Sequence, residues 1–411
     1  MHRTVCFART RRPSAPSVLS RFLQSSSRNR WCQKGLSNAS SFINKQSGPT
    51  FRSLPSSGSP LFGRAFSASA SRETEVEAKS LDSFETTPLG SLGKDLLDGL
   101  DVYSVPSEED GHPLAVYGIN SENPIQISDD PDVRPILLLH GRTWSSVPVY
   151  HLLGGPKRAA DGVESRSLLE ALLDSGLTPY CMDFRSFGGT HPDASGFVEP
   201  YRCVHDAESV LNWIAARHGI DKTPGAEKPA LMGWSQGALV AQLAAQVAHP
   251  ALCKLILYGS IYDPMVRYPR EPLYTLNKPN RTIIENTFEM AVEDFTIEGT
   301  ISSCVAKEFA EAALTSDPIK AVWRSLYQFN NIDPARVRCP TLLVGGDQDP
   351  YAPLHVQQEL FSNLGRGFDR TWSILAESDH AAHLLEGRHR LINLVSSFVK
   401  NGKRAELEDR Y

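Results

Sequence analysis

The chain has 411 residues, of which 41% are hydrophobic and 22% charged, enough apolar content for a large buried core. Its formal net charge is −5, but residues 73–411 hold 30 basic residues against all 47 acidic ones, a balance of −17 that makes nucleic acid an unexpected partner. Nowhere do eighteen apolar residues run consecutively, so no membrane span is expected.

The first segment differs in composition from the rest. Residues 1–72 contain no Asp or Glu, twelve Lys plus Arg and seventeen Ser, with basic and apolar residues mixed at Arg9, Arg11, Arg12, Val18, Leu19, Arg21, Phe22 and Leu23. That is how a mitochondrial transit peptide is built, and no apolar stretch typical of a secretory signal follows the first arginines. The run Arg64-Ala65-Phe66-Ser67-Ala68-Ser69 is similar to a matrix-peptidase cleavage site. A disordered leader over 1–66 is therefore expected, with a linker over 67–100, the mitochondrial import machinery as partner and the matrix as destination. The plainer alternative is a Ser/Arg-rich tail without a targeting role. Cys6 and Cys32 belong to this leader. Cys181, Cys203, Cys253, Cys304 and Cys339 form no C-x-x-C pattern and read as reduced core thiols, not as a disulfide frame or a zinc site.

Beyond the linker, 102–105 and 114–118 read as two strands joined by the turn Glu108-Glu109-Asp110-Gly111. Short continuous apolar runs follow at 135–139, 179–182, 230–232, 255–258, 341–344 and 372–375, as suits strands covered on both faces. Helical patterns at 165–175, 204–218, 236–249, 355–364 and 386–399 alternate with them. This alternation predicts an α/β fold, a doubly wound, mostly parallel sheet. One interval breaks the rhythm. Residues 263–333, with helical patterns at 285–293, 304–314 and 319–329, are expected to form a helical cap between the sixth and seventh strands. The core then comprises 101–262 and 334–400, with a polar tail over 401–411.

Gly233-Trp234-Ser235-Gln236-Gly237 lies between the run at 230–232 and the helix that follows. G-x-S-x-G at a strand-to-helix turn marks a nucleophilic serine, because the sharp turn needs its glycines and exposes the hydroxyl at a helix N-terminus. A serine hydroxyl needs a base, and the base needs a carboxylate to hold its tautomer. Asp349 follows the strand at 341–344 and His380 follows the strand at 372–375, in the chain order Ser, Asp, His. Asp347 is the alternative acid. His383 is expected on a surface or lid-facing helix, and His151, His191, His205 and His355 on surfaces or helix ends. His140-Gly141-Arg142 follows the strand at 135–139, so the backbone N–H groups of Arg142 and Gln236 are the expected oxyanion hole.

With these pieces in order, the sequence resembles the α/β-hydrolase superfamily from about Val102 to Val399. The motifs are His140-Gly141, the Asp-x-Arg-x-x-Gly of Asp183, Arg185 and Gly188, the elbow Gly233 to Gly237, then Gly346, Asp349 and Pro353, and last His380. The resemblance implies an esterase-like serine hydrolase with an acyl-enzyme on Ser235, acting on a small ester or lactone and needing no metal or organic cofactor. Trp144, Trp234, Tyr258 and Tyr262 are the residues expected to border the substrate pocket, favouring a hydrophobic or aromatic acyl group. Acyl transfer or carbon–carbon bond hydrolysis with the same triad, and ligand binding without catalysis, remain open from sequence.

Overall fold

The computed structural model describes residues 95–119, 125–130, 132–247, 251–271 and 284–401. The expected leader, its cleavage site, most of the linker and the polar tail after residue 401 lie outside the described residues.

The expected hairpin forms from β1 (Leu100–Pro106) and β2 (Pro113–Ile119), in register from Leu100 opposite Ile119 to Pro106 opposite Pro113. Gly111 closes its turn at φ +73°, donating its N–H to Ser107 O. Next come β3 (Pro135–Leu139), the short helices α1 (Ser146–Tyr150), α2 (Pro156–Ala160) and α3 (Leu168–Asp174), then β4 (Thr178–Met182) and the long α4 (Pro200–Arg217). The second half contains β5 (Ala230–Trp234), α5 (Gln236–Val247), β6 (Leu255–Tyr258), α6 (Phe288–Val292), α7 (Ser303–Ser316), β7 (Thr341–Gly346), α8 (Leu354–Asn363), β8 (Arg370–Leu375) and α9 (His389–Asn401).

All eight strands join one sheet in the order β1-β2-β4-β3-β5-β6-β7-β8. β2 runs antiparallel to β1 and β4, and every pairing from β4 through β8 is parallel. Strand order reverses at β3, which lies between β4 and β5, and crevices for ligands open at the carboxyl ends of strands around such a point. Side chains alternate across the sheet. Ile136, Leu138, Met232, Ile256 and Val344 pack with α1, α3, α7 and α9 on one face, while Leu137, Leu139, Leu231, Leu257 and Leu343 pack with α4, α5 and α8 on the other. Full burial of each such side chain stabilises the fold by roughly 1.5–3 kcal/mol.

The Arg185 guanidinium is buried in the second layer and meets three carboxylates. It lies 2.6 Å from Asp110 in the hairpin turn, 2.7 Å from Asp206 in α4 and 3.2 Å from Asp193. Arg202 also pairs with Asp193, so two guanidinium groups answer the three carboxylates, and the planar fork of Arg185 lets it meet all three at once.

Three expectations need correction. The segment 319–329 is not an α-helix. α7 ends at Asp317 because Pro318 disfavours helical backbone before it, and the chain then runs extended, with Ile319 bridging Glu285 and Trp323 bridging Val198. Only a 3₁₀ turn, Leu326–Asn331, follows, after Ser325 at φ +54°. Second, the closing helix starts at His389, not at 386. Third, α1 and α2 were not foreseen. α1 has Pro148 and two valines in five residues, and its first amide is held by Asp183 from another loop, so tertiary contact outweighs local propensity. Of the described thiols, Cys181, Cys203 and Cys339 are buried, but Cys304 is exposed in the first turn of α7. No helix among the described residues is long and apolar enough to cross a membrane.

Candidate active site

The residues singled out from sequence lie at the carboxyl ends of four strands: 140–142 after β3, Ser235 after β5, Asp349 after β7 and His380 after β8. Ser235 sits at φ +57°, a left-handed conformation unusual for a residue with a Cβ, and is half-buried between fully buried neighbours. The flanking glycines are required sterically. A Cβ on Gly233 would lie 2.2 Å from Gly237 O, and one on Gly237 would lie 2.3 Å from His140 O. α5 begins at Gln236, whose amide has no acceptor a turn earlier in the helix and can face an anion, while the Ala238 N–H already donates to Ser235 O at 3.1 Å.

His380 Nδ1–H donates to Asp349 Oδ2 at 2.8 Å, with both side chains buried. Asp349 Oδ1 accepts the N–H groups of Tyr351 and Ala352 at 2.9 and 3.1 Å, which fixes the carboxylate on its loop. Asp347, the alternative acid, is exposed and instead accepts from Ser378 N–H at 3.3 Å. With Nδ1 committed to Asp349, Nε2 is the nitrogen left to accept a proton. Burial alone would lower the His380 pKa, but the hydrogen bond and charge of Asp349, with the charges of Asp294 and Asp379, raise it above the ordinary histidine value. Gly259, at the end of β6, makes room for the pair, since a Cβ there would lie 3.2 Å from His380 Nδ1.

His140 orients the loop after β3. Its Nε2 accepts the N–H of Phe184 at 3.1 Å, so its Nδ1–H donates to Gly141 O at 2.9 Å. Burial pushes its pKa down to about 3, which keeps this neutral tautomer in place. Because the peptide is planar and trans, drawing Gly141 O toward His140 turns the Arg142 N–H the opposite way. Gly141 itself lies against Ser235, with an added Cβ only 3.3 Å from the serine Cβ. The Arg142 side chain is exposed.

Of the expected pocket residues, Trp144, Trp234 and Tyr258 are 2, 3 and 0% exposed and pack in the core, and Tyr262 is half-buried. Trp234 Nε1–H donates to His380 O at 2.8 Å, and the Tyr258 hydroxyl lies 3.2 Å from the same oxygen. His383 is not on a surface or lid. It is buried, with its N–H donating to the Tyr258 hydroxyl at 3.1 Å and its Nδ1 3.0 Å from that oxygen. Burial, then the neighbouring His380, push its pKa down to about 3. His191, His205 and His355 are exposed, whereas His151 ends α1 but is buried, held between Ser167 Oγ and Asp98 O at 2.8 Å each.

Two ties between the core and the segment 263–333, expected to form a cap, were not foreseen from the sequence. Asp379 accepts the N–H of Thr296 at 2.9 Å and ties the residue before His380 to the cap segment. Asp317, at the end of α7, reaches the loops around Ser145 and Gly188. A single Asp before a proline carries no local signal for a contact with a residue 172 positions away.

Residues 136–393 match the alpha/beta hydrolase family, more than half of the chain, and the protein belongs to that family. Among solved structures it is similar to a Paleococcus ferrophilus monoacylglycerol lipase, at 15% identity over 71% of this chain and 99% of that one, with a TM-score of 0.46. It is also similar to a thermophilic esterase from Thermogutta terrifontis, at 14% identity over 73% and 98% with a TM-score of 0.47. A third is the thioesterase domain of the curacin biosynthetic pathway, at 15% over 74% and 99% with a TM-score of 0.43. Likeness at this distance bears on no question of substrate. No curated protein matches the sequence.

Proposed function

We propose that the protein is a serine hydrolase that cleaves a small hydrophobic or aromatic carboxylic ester or lactone through an acyl-enzyme on Ser235. The observation that carries this reading is the buried 2.8 Å contact from His380 to Asp349, beside a serine at φ +57° that opens a helix. In the reaction Ser235 Oγ attacks the carbonyl carbon as His380 Nε2 takes its proton, and the new oxyanion is received by the N–H groups of Arg142 and Gln236. The C–O bond to the leaving alcohol breaks as His380 returns the proton to it. Water, deprotonated by His380, then attacks the acyl carbon, and Ser235 leaves with the proton to give the acid. No cofactor enters these steps.

A hydrophobic acyl group is supported by aromatic residues gathered near the oxyanion loop, Trp323 from the cap segment and Phe184 and Phe187 from the loop after β4. The Trp323 ring lies 6.0 Å from that of Phe184 and 6.4 Å from that of Phe187. Turnover of 4-nitrophenyl esters of graded acyl length and of aryl lactones, abolished in Ser235→Ala, is the expected result. Ligand binding that persists in Ser235→Ala, with no turnover of any ester, would contradict it. Acyl transfer to an alcohol or thiol faster than hydrolysis would redirect the reading to a transferase.

The acid-free, Arg- and Ser-rich composition of residues 1–72 supports delivery to the mitochondrion. A fluorescent fusion of residues 1–72 should accumulate in mitochondria and lose its leader near Ser67, and a cytosolic distribution would refute this.

A further inference from the structure

Two buried carboxylates hold the loop after β3 from opposite sides. Asp183, in the core, accepts Ser146 N–H at 2.7 Å, Gly189 N–H at 2.9 Å and the Tyr117 hydroxyl at 2.6 Å. Asp317, in the cap, accepts Ser145 N–H at 2.7 Å and Gly188 N–H at 2.9 Å. Consecutive amides on each loop thus go to different acids, one from the core and one from the cap. Gly188 permits this approach, since a Cβ there would lie 2.3 Å from Asp183 Oδ2 and 2.9 Å from Ser145 Cβ. Six residues after Asp317, Trp323 Nε1–H donates to Arg142 O at 3.1 Å. The peptides on either side of Arg142 are therefore both fixed, the first by His140 and the second by Trp323.

We propose that Asp317 and Trp323 are positioning residues through which the cap sets the oxyanion loop, so that the Arg142 N–H is aimed correctly only when this cap segment is seated. The inference rests on the ester-hydrolase reading of the same site. A buried carboxylate is a costly way to pack a cap, because among the described residues no lysine or arginine forms an ion pair with Asp317, and its charge is answered by the Ser145 and Gly188 amides and the neighbouring Ser145 hydroxyl. What the charge supplies is direction, since a carboxylate accepts from both loops at once with charge-assisted hydrogen bonds. An amide in its place would set an NH₂ against one of those N–H donors. Burial outweighs these bonds and raises Asp317 to about 7. The titratable group facing it is Asp183, raised by its own burial to about 6, with Tyr117 and Cys181 behind that carboxylate.

The test compares the full chain with Asp317→Asn and Trp323→Phe, using 4-nitrophenyl acetate turnover, thermal midpoints and amide hydrogen exchange over 141–147 and 184–190. Asp317→Asn should lower kcat about 10- to 100-fold with KM within about twofold, as expected for a misaimed oxyanion donor. It should also speed exchange at Ser145 and Gly188 and make the acid limb of the kcat profile less steep. Trp323→Phe should lower kcat several-fold by the same route, about 3- to 10-fold, and serves if the first variant does not fold. Unchanged exchange in both variants, or a kcat loss that only follows a fall in thermal midpoint, would overturn the positioning role. Wild-type protein without turnover would sink the hydrolase reading instead, and the exchange data would still decide whether the cap sets the loop.

Discussion

Trp234 and His380 are joined by a 2.8 Å hydrogen bond from the indole N–H to the histidine carbonyl, and Trp234 immediately precedes the candidate nucleophile. The backbone that presents the serine thereby anchors the backbone that presents its base. The Trp234 ring also packs against those of His380 and His383, at 5.2 and 4.9 Å between centroids.

Trp234→Phe keeps a ring in this position but removes the donor, leaving the Tyr258 hydroxyl, 3.2 Å from His380 O, as the remaining partner among the described residues. A fall in kcat of about 3- to 30-fold is expected, with a loss of roughly 1–3 kcal/mol in denaturant unfolding. Full activity in this variant would show that the indole only fills space.

The rate should fall as pH drops, because only neutral His380 can take the serine proton. Its folded pKa is raised above the ordinary value, so the acid limb should lie above about 6.5. Asp349→Asn removes the partner that raises it. The limb of the residual activity should then move to lower pH, with kcat reduced by roughly 10⁴. An unmoved limb would assign it to another group.

Gly237→Ala should abolish activity, since its Cβ would meet the backbone oxygens of His140 and Leu139 at 2.3 and 2.6 Å, neither of which can yield cheaply. Ser235→Gly, equally inactive, should be more stable than Ser235→Ala by about 1–2 kcal/mol, because glycine accepts φ +57° without steric cost. Equal thermal midpoints for the two inactive variants would mean that the elbow is unstrained.

Buried Asp317, raised to about 7, binds its proton more tightly in the folded than in the unfolded chain. Its contribution to stability is therefore full below the unfolded-state value near 4 and is lost as pH rises through about 7. Asp317→Asn cannot ionise, so its thermal midpoint relative to wild type should become more favourable between pH 5 and pH 8. A difference independent of pH would mean that Asp317 titrates normally.

The strands and the elbow were legible because they rest on local patterns: continuous apolar runs at 135–139 and 255–258, and glycines at 233 and 237 flanking one serine. Asp349 and His380 were legible from their places after strands. What escaped depends on contacts between distant segments. α1 forms because Asp183 takes its first amide, and the strand-like path of 319–323 exists because Glu285 pairs with one end and Val198 with the other. The burial of His383 followed from the Tyr258 hydroxyl beside it, and the expected pocket aromatics Trp234 and Tyr258 turned inward to hold His380. Aromatic type and sequence position near an elbow do not say which way a ring faces.

The proposed function requires Ser235 to be an activated nucleophile. Peptide mass spectrometry after exposure to a fluorophosphonate tests it most directly, with Ser235→Ala and His380→Ala as controls. A stoichiometric adduct on Ser235, absent in the first control and slowed at least a thousandfold in the second, is the predicted result. No adduct on Ser235, or labelling that proceeds equally well without His380, would show that Ser235 is not activated by this histidine.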